Sequence, residues 1–267
     1  MIDIEDPFQS GASAYADYLK TTEGRLRLDI GWANLCASVE NIDKGNPGRA
    51  LDIGGGTGAM AVRLALAGWR VAVADSSAAM LRLATKAAHA KQVAARIEFH
   101  LTDTDRIAEL FRPQSFDLVI CHNVLEYVDD PAGIFRAMRA VARPAGLISV
   151  LVRNRAGEAM REALKSQDLV AADHALKAEW VRESLYGGRA RLFDPQGLHA
   201  LTADAAFDVI AERGVRVLAD YLPAALSETE DGYARLLDFE LKIGAQPCFA
   251  AVARYLQVIA RVPDSAG

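Results

Sequence analysis

Leu51-Asp52-Ile53-Gly54-Gly55-Gly56-Thr57-Gly58 is an apolar run that breaks abruptly into glycine. The run Arg49–Ile53 has strand character, and Ala59–Leu66 behind the glycines carries apolar residues at helical spacing. A strand that ends in a glycine-rich turn and opens a helix is the shape of a nucleotide site. Glycine permits the tight turn and a close backbone approach, and a helix N-terminus offers amide N–H groups. Gly54, Gly56 and Ala59 also satisfy the loose dinucleotide pattern, so a nicotinamide-dependent oxidoreductase has to be weighed.

Working outward, strand candidates alternate with helix candidates. The strands are Arg49–Ile53, Arg70–Ala74, Arg96–His100, Phe116–Cys121 and Leu147–Arg153. Between them Ala59–Leu66, Ala78–Ala90, Thr104–Phe111 and Pro131–Val141 have helical periodicity. Strands apolar on both faces and separated by helices predict an α/β fold, a doubly wound, mostly parallel sheet covered on both sides. Ahead of it, Ser13 to Glu40 reads as one or two helices with Gly24 between them. Asn154 to Glu183 reads as a mostly helical insertion, placed where a lid or substrate cap would sit. A helix (Asp194–Ala203), a β run (Ala206–Leu218), a helix (Asp231–Ile243) and a strand (Arg254–Arg261) lead to a polar tail. The expectation is one domain: an N-terminal helical cap (1–48), a cofactor-binding core (49–153), a helical insertion (154–193) and a C-terminal part completing the sheet and the substrate wall (194–267).

Acids ring the glycine turn. Asp52 precedes the first glycine by two residues, Asp75 ends the second strand and Asp103 follows the third. A pyrophosphate would be repelled there, whereas a cationic cofactor without phosphate would be attracted. Asp75 also stands where an acid accepts hydrogen bonds from ribose hydroxyls in nucleotide folds. The bulk numbers agree with a soluble enzyme. The 267 residues are 51% hydrophobic, enough for one substantial core. The net charge of -5 gives no global basic footprint for gripping long nucleic acid, though it leaves a local patch open. Three cysteines without a CxxC or a His/Cys cluster argue against a disulfide framework and against a metal site. Met1 to Phe8 holds three acids and no apolar segment, and no run is long enough to span a bilayer. A cytoplasmic protein is therefore expected.

Several stretches carry a family resemblance. Leu51 to Gly58 resembles the first motif of class I S-adenosylmethionine-dependent methyltransferases, and Val73-Ala74-Asp75-Ser76-Ser77-Ala78-Ala79-Met80 resembles their second. Phe116 to His122 resembles their fourth-strand motif. Arg143-Pro144-Ala145-Gly146 resembles the turn into the fifth strand, with alanine at 145 where glycine is usual. The flanks Thr21 to Arg27, His122 to Tyr127 and Gly214 to Leu222 are similar to the bacterial tRNA 5-carboxymethoxyuridine methyltransferases, which esterify the carboxylate of a modified wobble uridine. The resemblance is weakest over 155–190.

Residue by residue, the resemblance implies S-adenosyl-L-methionine held by Arg27, Asp52, Gly54, Gly55, Gly56, Gly58, Asp75, Ser76, Met80, Asp103, Thr104 and His122. Arg27 would meet the cofactor carboxylate, the glycines its methionine part, Asp75 the ribose, and Asp103 with Thr104 the adenine. Tyr127, Asn154, Arg216, Asp220 and Tyr221 would line the substrate side, with Arg216 and Tyr221 in catalytic roles. The partner would be the anticodon stem-loop of tRNA. A carboxylate nucleophile is already ionised at pH 7, so such a site needs no dedicated general base. Three alternatives stay open: a small-molecule carboxyl, oxygen or nitrogen methyltransferase, the nicotinamide oxidoreductase, and a non-catalytic cofactor-binding module. Arg153, Arg155, Arg189 and Arg191 form a loose basic set near the insertion. Clustering of Arg153, Arg189, Arg191 and Arg216 on one face would favour tRNA, and scattering would favour a small acceptor.

Overall fold

A computed structural model describes residues 7–38, 48–183 and 188–264. The expected strands form, at nearly the expected places: β1 (Arg49–Ile53), β2 (Arg70–Asp75), β3 (Ile97–Leu101), β4 (Phe116–His122) and β5 (Ala142–Arg153). Two further strands, β6 (Trp180–Arg182) and β7 (Arg189–Arg191), pair as a separate hairpin, and β8 (Asp208–Val215) and β9 (Tyr255–Arg261) join the main sheet. The sheet runs β3-β2-β1-β4-β5-β9-β8. Pairs from β3 to β5 are parallel, and β9 lies antiparallel between β5 and β8.

Alternate strand residues face different layers, which is why these strands read as continuous apolar runs. Leu51, Ile53, Val119, Cys121, Ile148 and Val150 belong to one core with Phe135 and Met138 of helix Pro131–Val141. Ala50, Val71, Val73, Leu118 and Ile120 face the other, with Leu64 of helix Ala59–Leu66 and Leu35 of helix Thr22–Ser38. Helix Ala78–Ala90 starts at Ser77, whose hydroxyl caps Met80 N–H, and helix Pro131–Val141 at Asp130, which caps Gly133 N–H with proline in the first turn. The strand order reverses between β1 and its neighbours β2 and β4, and the carboxyl ends of the strands open a crevice there.

Four expectations need correcting. Gly24 does not separate the N-terminal helices. They are Ala12–Tyr18 and Thr22–Ser38, and Thr21 Oγ1 caps Gly24 N–H at 3.1 Å. Glycine is required at 24 because a Cβ would lie 2.1 Å from Tyr18 O. Thr104–Phe111 is not one helix but a 3-10 turn (Thr104–Arg106) followed by a single α-turn (Ile107–Leu110). The fifth strand starts earlier than Leu147, running back through Ala145, which takes the left-handed conformation (φ 60°) in place of the usual glycine. The insertion is two helices, Arg155–Leu164 and Leu169–Lys177, followed by the β6–β7 hairpin rather than more helix. The ends of the expected cap (1–6, 39–47), of the insertion (184–187) and of the tail (265–267) lie outside the described residues.

Candidate active site

The crevice holds a cavity of about 1130 Å³. Gly54, Gly56, Asp75, Ser76, Met80, Asp103, Thr104 and His122 line the side of it formed by the glycine turn and the ends of the neighbouring strands, joined by Arg27 from the N-terminal helix. Gly54 and Gly56 both have positive φ (61° and 54°), and a Cβ on Gly54 would stand 2.3 Å from Val124 Cγ2. A Cβ on Gly56 would meet nothing closer than 3.7 Å, so at that point the turn presents bare backbone to the cavity. Asp75 fixes the turn to β2: one oxygen accepts Gly56 N–H (2.8 Å), the other Ser77 N–H (2.8 Å). An amide that a phosphate would need is thus already given to a carboxylate.

Asp52, Gly55 and Gly58 take other places. Asp52 is buried beneath the turn, beside a small cavity of about 40 Å³, and its Oδ2 has no hydrogen-bond partner among the described residues. Burial, and then the nearby Asp75, push its pKa up to about 7. Gly55 lies over it, where a Cβ would stand 2.9 Å from Asp52 Oδ2. Gly58 N-caps the following helix against Ala84 and does not line either cavity. A buried carboxyl with one oxygen unpartnered among the described residues, a bare-backbone cradle and an acid at the end of β2 fit a cofactor that is positive at one end and a nucleoside at the other. S-adenosylmethionine has that form, and a dinucleotide does not.

His122 is a weak base. Burial, and then the charge of Arg27, lower its pKa to about 3, and its Nε2 is 2.8 Å from Ser149 Oγ. The serine is held in turn by Gln257, which also bonds Gly31 O and Asn34. An imidazole fixed neutral in this way positions but does not deprotonate.

The opposite wall is cationic. Arg153, Arg216 and Arg254 line it around Tyr255, and Arg27 approaches the same ring from the glycine-turn side. Burial alone would raise the Tyr255 pKa, but the four guanidiniums bring it below the ordinary tyrosine value. Arg27 donates to Tyr15 Oη (2.7 Å), Arg153 to Glu183 (3.3 Å), and Arg254 pairs with Glu158. Arg216 is fully enclosed: Nε and Nη2 donate to Asp220 Oδ1, and Nη1 donates to Tyr18 Oη at 2.9 Å. Three of its five N–H donors are used. The remaining two sit one on each terminal nitrogen, the fork that matches a carboxylate. Arg216 also holds a left-handed backbone (φ 60°), a strain that other contacts must offset.

Asp220 and Tyr127 stand in the wall as expected, whereas Asn154 and Tyr221 do not. Asn154 is fully buried: its Nδ2 donates to Ala251 O and Ala253 O and its Oδ1 caps Ala156 N–H, so its capacity is spent on structure. Tyr221 lies in the one-turn 3-10 segment Ala219–Tyr221, outside the lining of the cavity. A catalytic role for it loses its geometric basis.

Sequence reasoning missed Tyr15, Tyr18, Arg254 and Tyr255, which meet only through tertiary packing. It also passed over Glu126, inside a quoted motif. Glu126 Oε1 accepts Asn123 Nδ2 (3.0 Å) and Arg153 N–H (2.8 Å), Oε2 is buried without a hydrogen-bond partner among the described residues, and burial raises its pKa. The signal available was an acid flanked by Leu125 and Tyr127. The arginines do not meet as one set: Arg153 and Arg216 line the cavity, Arg189 and Arg191 lie on the hairpin, and Arg155 pairs with Asp194. The clustering that would favour tRNA over a small acceptor is therefore not met by Arg153, Arg189, Arg191 and Arg216. Among the described residues no group of acids, histidines and cysteines could hold a metal, and no helix is long and apolar enough to cross a membrane.

Residues 51–150 match the family model of a methyltransferase domain. Over 247 residues the chain is 32% identical to the tRNA 5-carboxymethoxyuridine methyltransferase of Escherichia coli strain K12, covering 92% of this chain and 91% of that protein. It is 31% identical over 182 residues to a ubiquinone biosynthesis O-methyltransferase of Idiomarina loihiensis, covering 66% and 69%. Its fold is similar to the crystal structure of an S-adenosylmethionine-dependent methyltransferase from Thermotoga maritima, described as a possible histamine N-methyltransferase. That match has a TM-score of 0.63 at 16% identity and covers 96% and 98% of the two chains.

Proposed function

The chain belongs to the class I S-adenosylmethionine-dependent methyltransferases, in the family of the tRNA 5-carboxymethoxyuridine methyltransferases, and on that footing we propose that it esterifies the carboxylate of 5-carboxymethoxyuridine at the tRNA wobble position. The observation that carries this reading is the wall of buried guanidiniums facing the cofactor side. S-adenosyl-L-methionine supplies an activated methyl group on a sulfonium that leaves readily.

The protein's task is then placement. Gly54, Gly56, Asp75, Asp103 and Thr104 would hold the donor, with Asp52 as a buried counter-charge. Arg216, braced by Asp220 and Tyr18, would orient the acceptor carboxylate through its two remaining N–H groups. Enclosure by Tyr18, Tyr127 and Tyr255 removes water from the nucleophile, which raises its reactivity in a dry site. A carboxylate needs no base to attack, and His122 offers none.

The test pairs cells and purified protein. Nucleoside mass spectrometry of tRNA from cells lacking the protein should show the wobble methyl ester replaced by the free acid; an unchanged ester would refute the acceptor. In vitro, Arg216→Lys should lower turnover at least about a hundredfold, by losing the bidentate fork, yet leave cofactor affinity within about twofold. A fall in cofactor affinity instead would move Arg216 to the other side of the site.

Glu126 favours a second reading, a small hydroxyl acceptor that a raised-pKa carboxylate would deprotonate. Glu126→Gln separates the two. It abolishes turnover of a hydroxyl acceptor, and leaves a carboxylate acceptor with the same pH profile.

A further inference from the structure

The β6–β7 hairpin carries a surface that the cavity chemistry does not use. Its register pairs Trp180 with Arg191, Val181 with Ala190 and Arg182 with Arg189. Side chains alternate across a strand, so Trp180, Arg182, Arg189 and Arg191 share one face and Val181 and Ala190 the other. Ala190 is fully buried, which sets the second face inward and the arginine face outward. Arg189 and Arg191 lie over the Trp180 ring, with Cζ 4.9 and 4.6 Å from its centroid.

This face is costly for the fold on its own. Arg182 and Arg189 are exposed and directly opposed across the strands, where like charges destabilise a pair. Neither makes an ion pair among the described residues, and Arg191 reaches only the exposed Glu179, at 3.8 Å. A hairpin selected for stability would set an acid across from one of them. The arrangement makes sense if an anion from outside completes it, and it stands against the chain's overall net charge of -5.

The patch is continuous with the cavity. Arg191 N–H donates to Glu126 O at 2.9 Å, and Glu183, where β6 enters the loop to β7, pairs with Arg153; Glu126, Glu183 and Arg153 all line the cavity. Lys165, the C-cap of helix Arg155–Leu164, adds positive charge along the same lining, beside Arg161, which pairs with Glu158 and Glu162.

We infer that this arginine face of the hairpin is the docking surface for the sugar-phosphate backbone of an RNA whose target base enters the cavity. The inference rests on the reading of a tRNA acceptor given above. Planar guanidiniums clasp phosphate oxygens in pairs, and the Trp180 ring beneath Arg189 and Arg191 holds their planes in place for such contacts.

Full-length protein with saturating cofactor provides the test, comparing wild type with Arg182→Glu/Arg189→Glu. Both side chains are exposed, so unchanged cofactor affinity certifies the fold. The acceptors are tRNA carrying carboxymethoxyuridine and the free carboxymethoxyuridine nucleoside. The expected result is a KM for tRNA raised about tenfold or more, with kcat within about twofold. The slope of log affinity for tRNA against log salt should become shallower by about two, one per lost phosphate contact. Turnover of the free nucleoside should not change. If wild type methylates tRNA and the double variant matches it in KM and salt slope, the docking surface is wrong while the acceptor stands. If nucleoside turnover falls as far as tRNA turnover, the hairpin acts by shaping the cavity, and the docking role is again refuted. If wild type modifies neither acceptor, the acceptor reading fails and takes this inference with it.

Discussion

Asp52 concentrates the electrostatics of the cofactor side in one residue. Its carboxyl is buried, has an oxygen without a hydrogen-bond partner among the described residues, and sits near Asp75; its pKa therefore rises to about 7 from an ordinary value near 4. In the unliganded protein the neutral form is favoured below about pH 7. Below about pH 4 the carboxyl is protonated folded or unfolded, and its stabilising contribution is complete. Between pH 4 and 7 the unfolded chain ionises while the folded one does not, so that contribution is lost as pH rises through the folded value. A cationic cofactor reverses the preference, because it draws the charged form out. Binding then releases a proton, and affinity should weaken about tenfold from pH 8 to pH 6, as expected for one group titrating near 7. Calorimetry in buffers of different ionisation heat would detect the proton. Asp52→Asn should flatten the dependence, and a wild-type affinity constant across that range would rule out Asp52 as the counter-charge. The presence of this acid was legible, because it stands two residues before a glycine turn. Its position beneath the turn rather than against the cavity was not, since that depends on how Gly55 folds over it.

Elements that stabilise themselves locally are the ones that sequence pattern reveals. β1, β2 and β4 are buried on both faces, so their apolar runs and the helices between them read directly. The β6–β7 hairpin escapes such reading because each strand has three residues and its outward face is arginine and tryptophan. The join between core and insertion is equally hidden, resting on Asn154. That residue ties the end of β5 to the backbone at 251 and 253 while capping the helix that begins at Arg155. Asparagine at that point resembles a substrate ligand in sequence, yet in the fold it is a clip. Asn154→Ala removes three hydrogen bonds and takes the donor from one buried and one half-buried carbonyl, a cost of about 3 kcal/mol at about 1 kcal/mol each. For a chain of this size that is a fall in Tm of roughly 6–12 °C, with cofactor affinity held within about twofold. A variant with unchanged Tm and weakened acceptor binding would restore Asn154 to the site.

At the scale of the molecule, the recognisable methyltransferase stretch, residues 51–150, stops short of the folding unit. β9 is buried along six of its seven residues and pairs with β5 on one side and β8 on the other, so removing it would bare the edge of β5. The N-terminal helix is bound into the same core: Leu26 and Ile30 pack with Leu151, Val215 and Tyr255, and Asn34 bonds Gln257 of β9. Arg27 from the cap, His122 from the core and Arg216 from the C-terminal part then face one cavity. Cap, core and C-terminal part should therefore unfold together, in one calorimetric transition whose van't Hoff and calorimetric enthalpies agree. Cofactor at a hundred times its Kd adds about 2.7 kcal/mol to the folded state, which corresponds to a rise in Tm of roughly 5–10 °C for the whole transition. Two resolved transitions, only one of them moved by cofactor, would show instead that the core folds apart from its flanks. In that case the cationic wall would assemble only when the flanks dock, and acceptor turnover would vanish at a lower temperature than cofactor binding does.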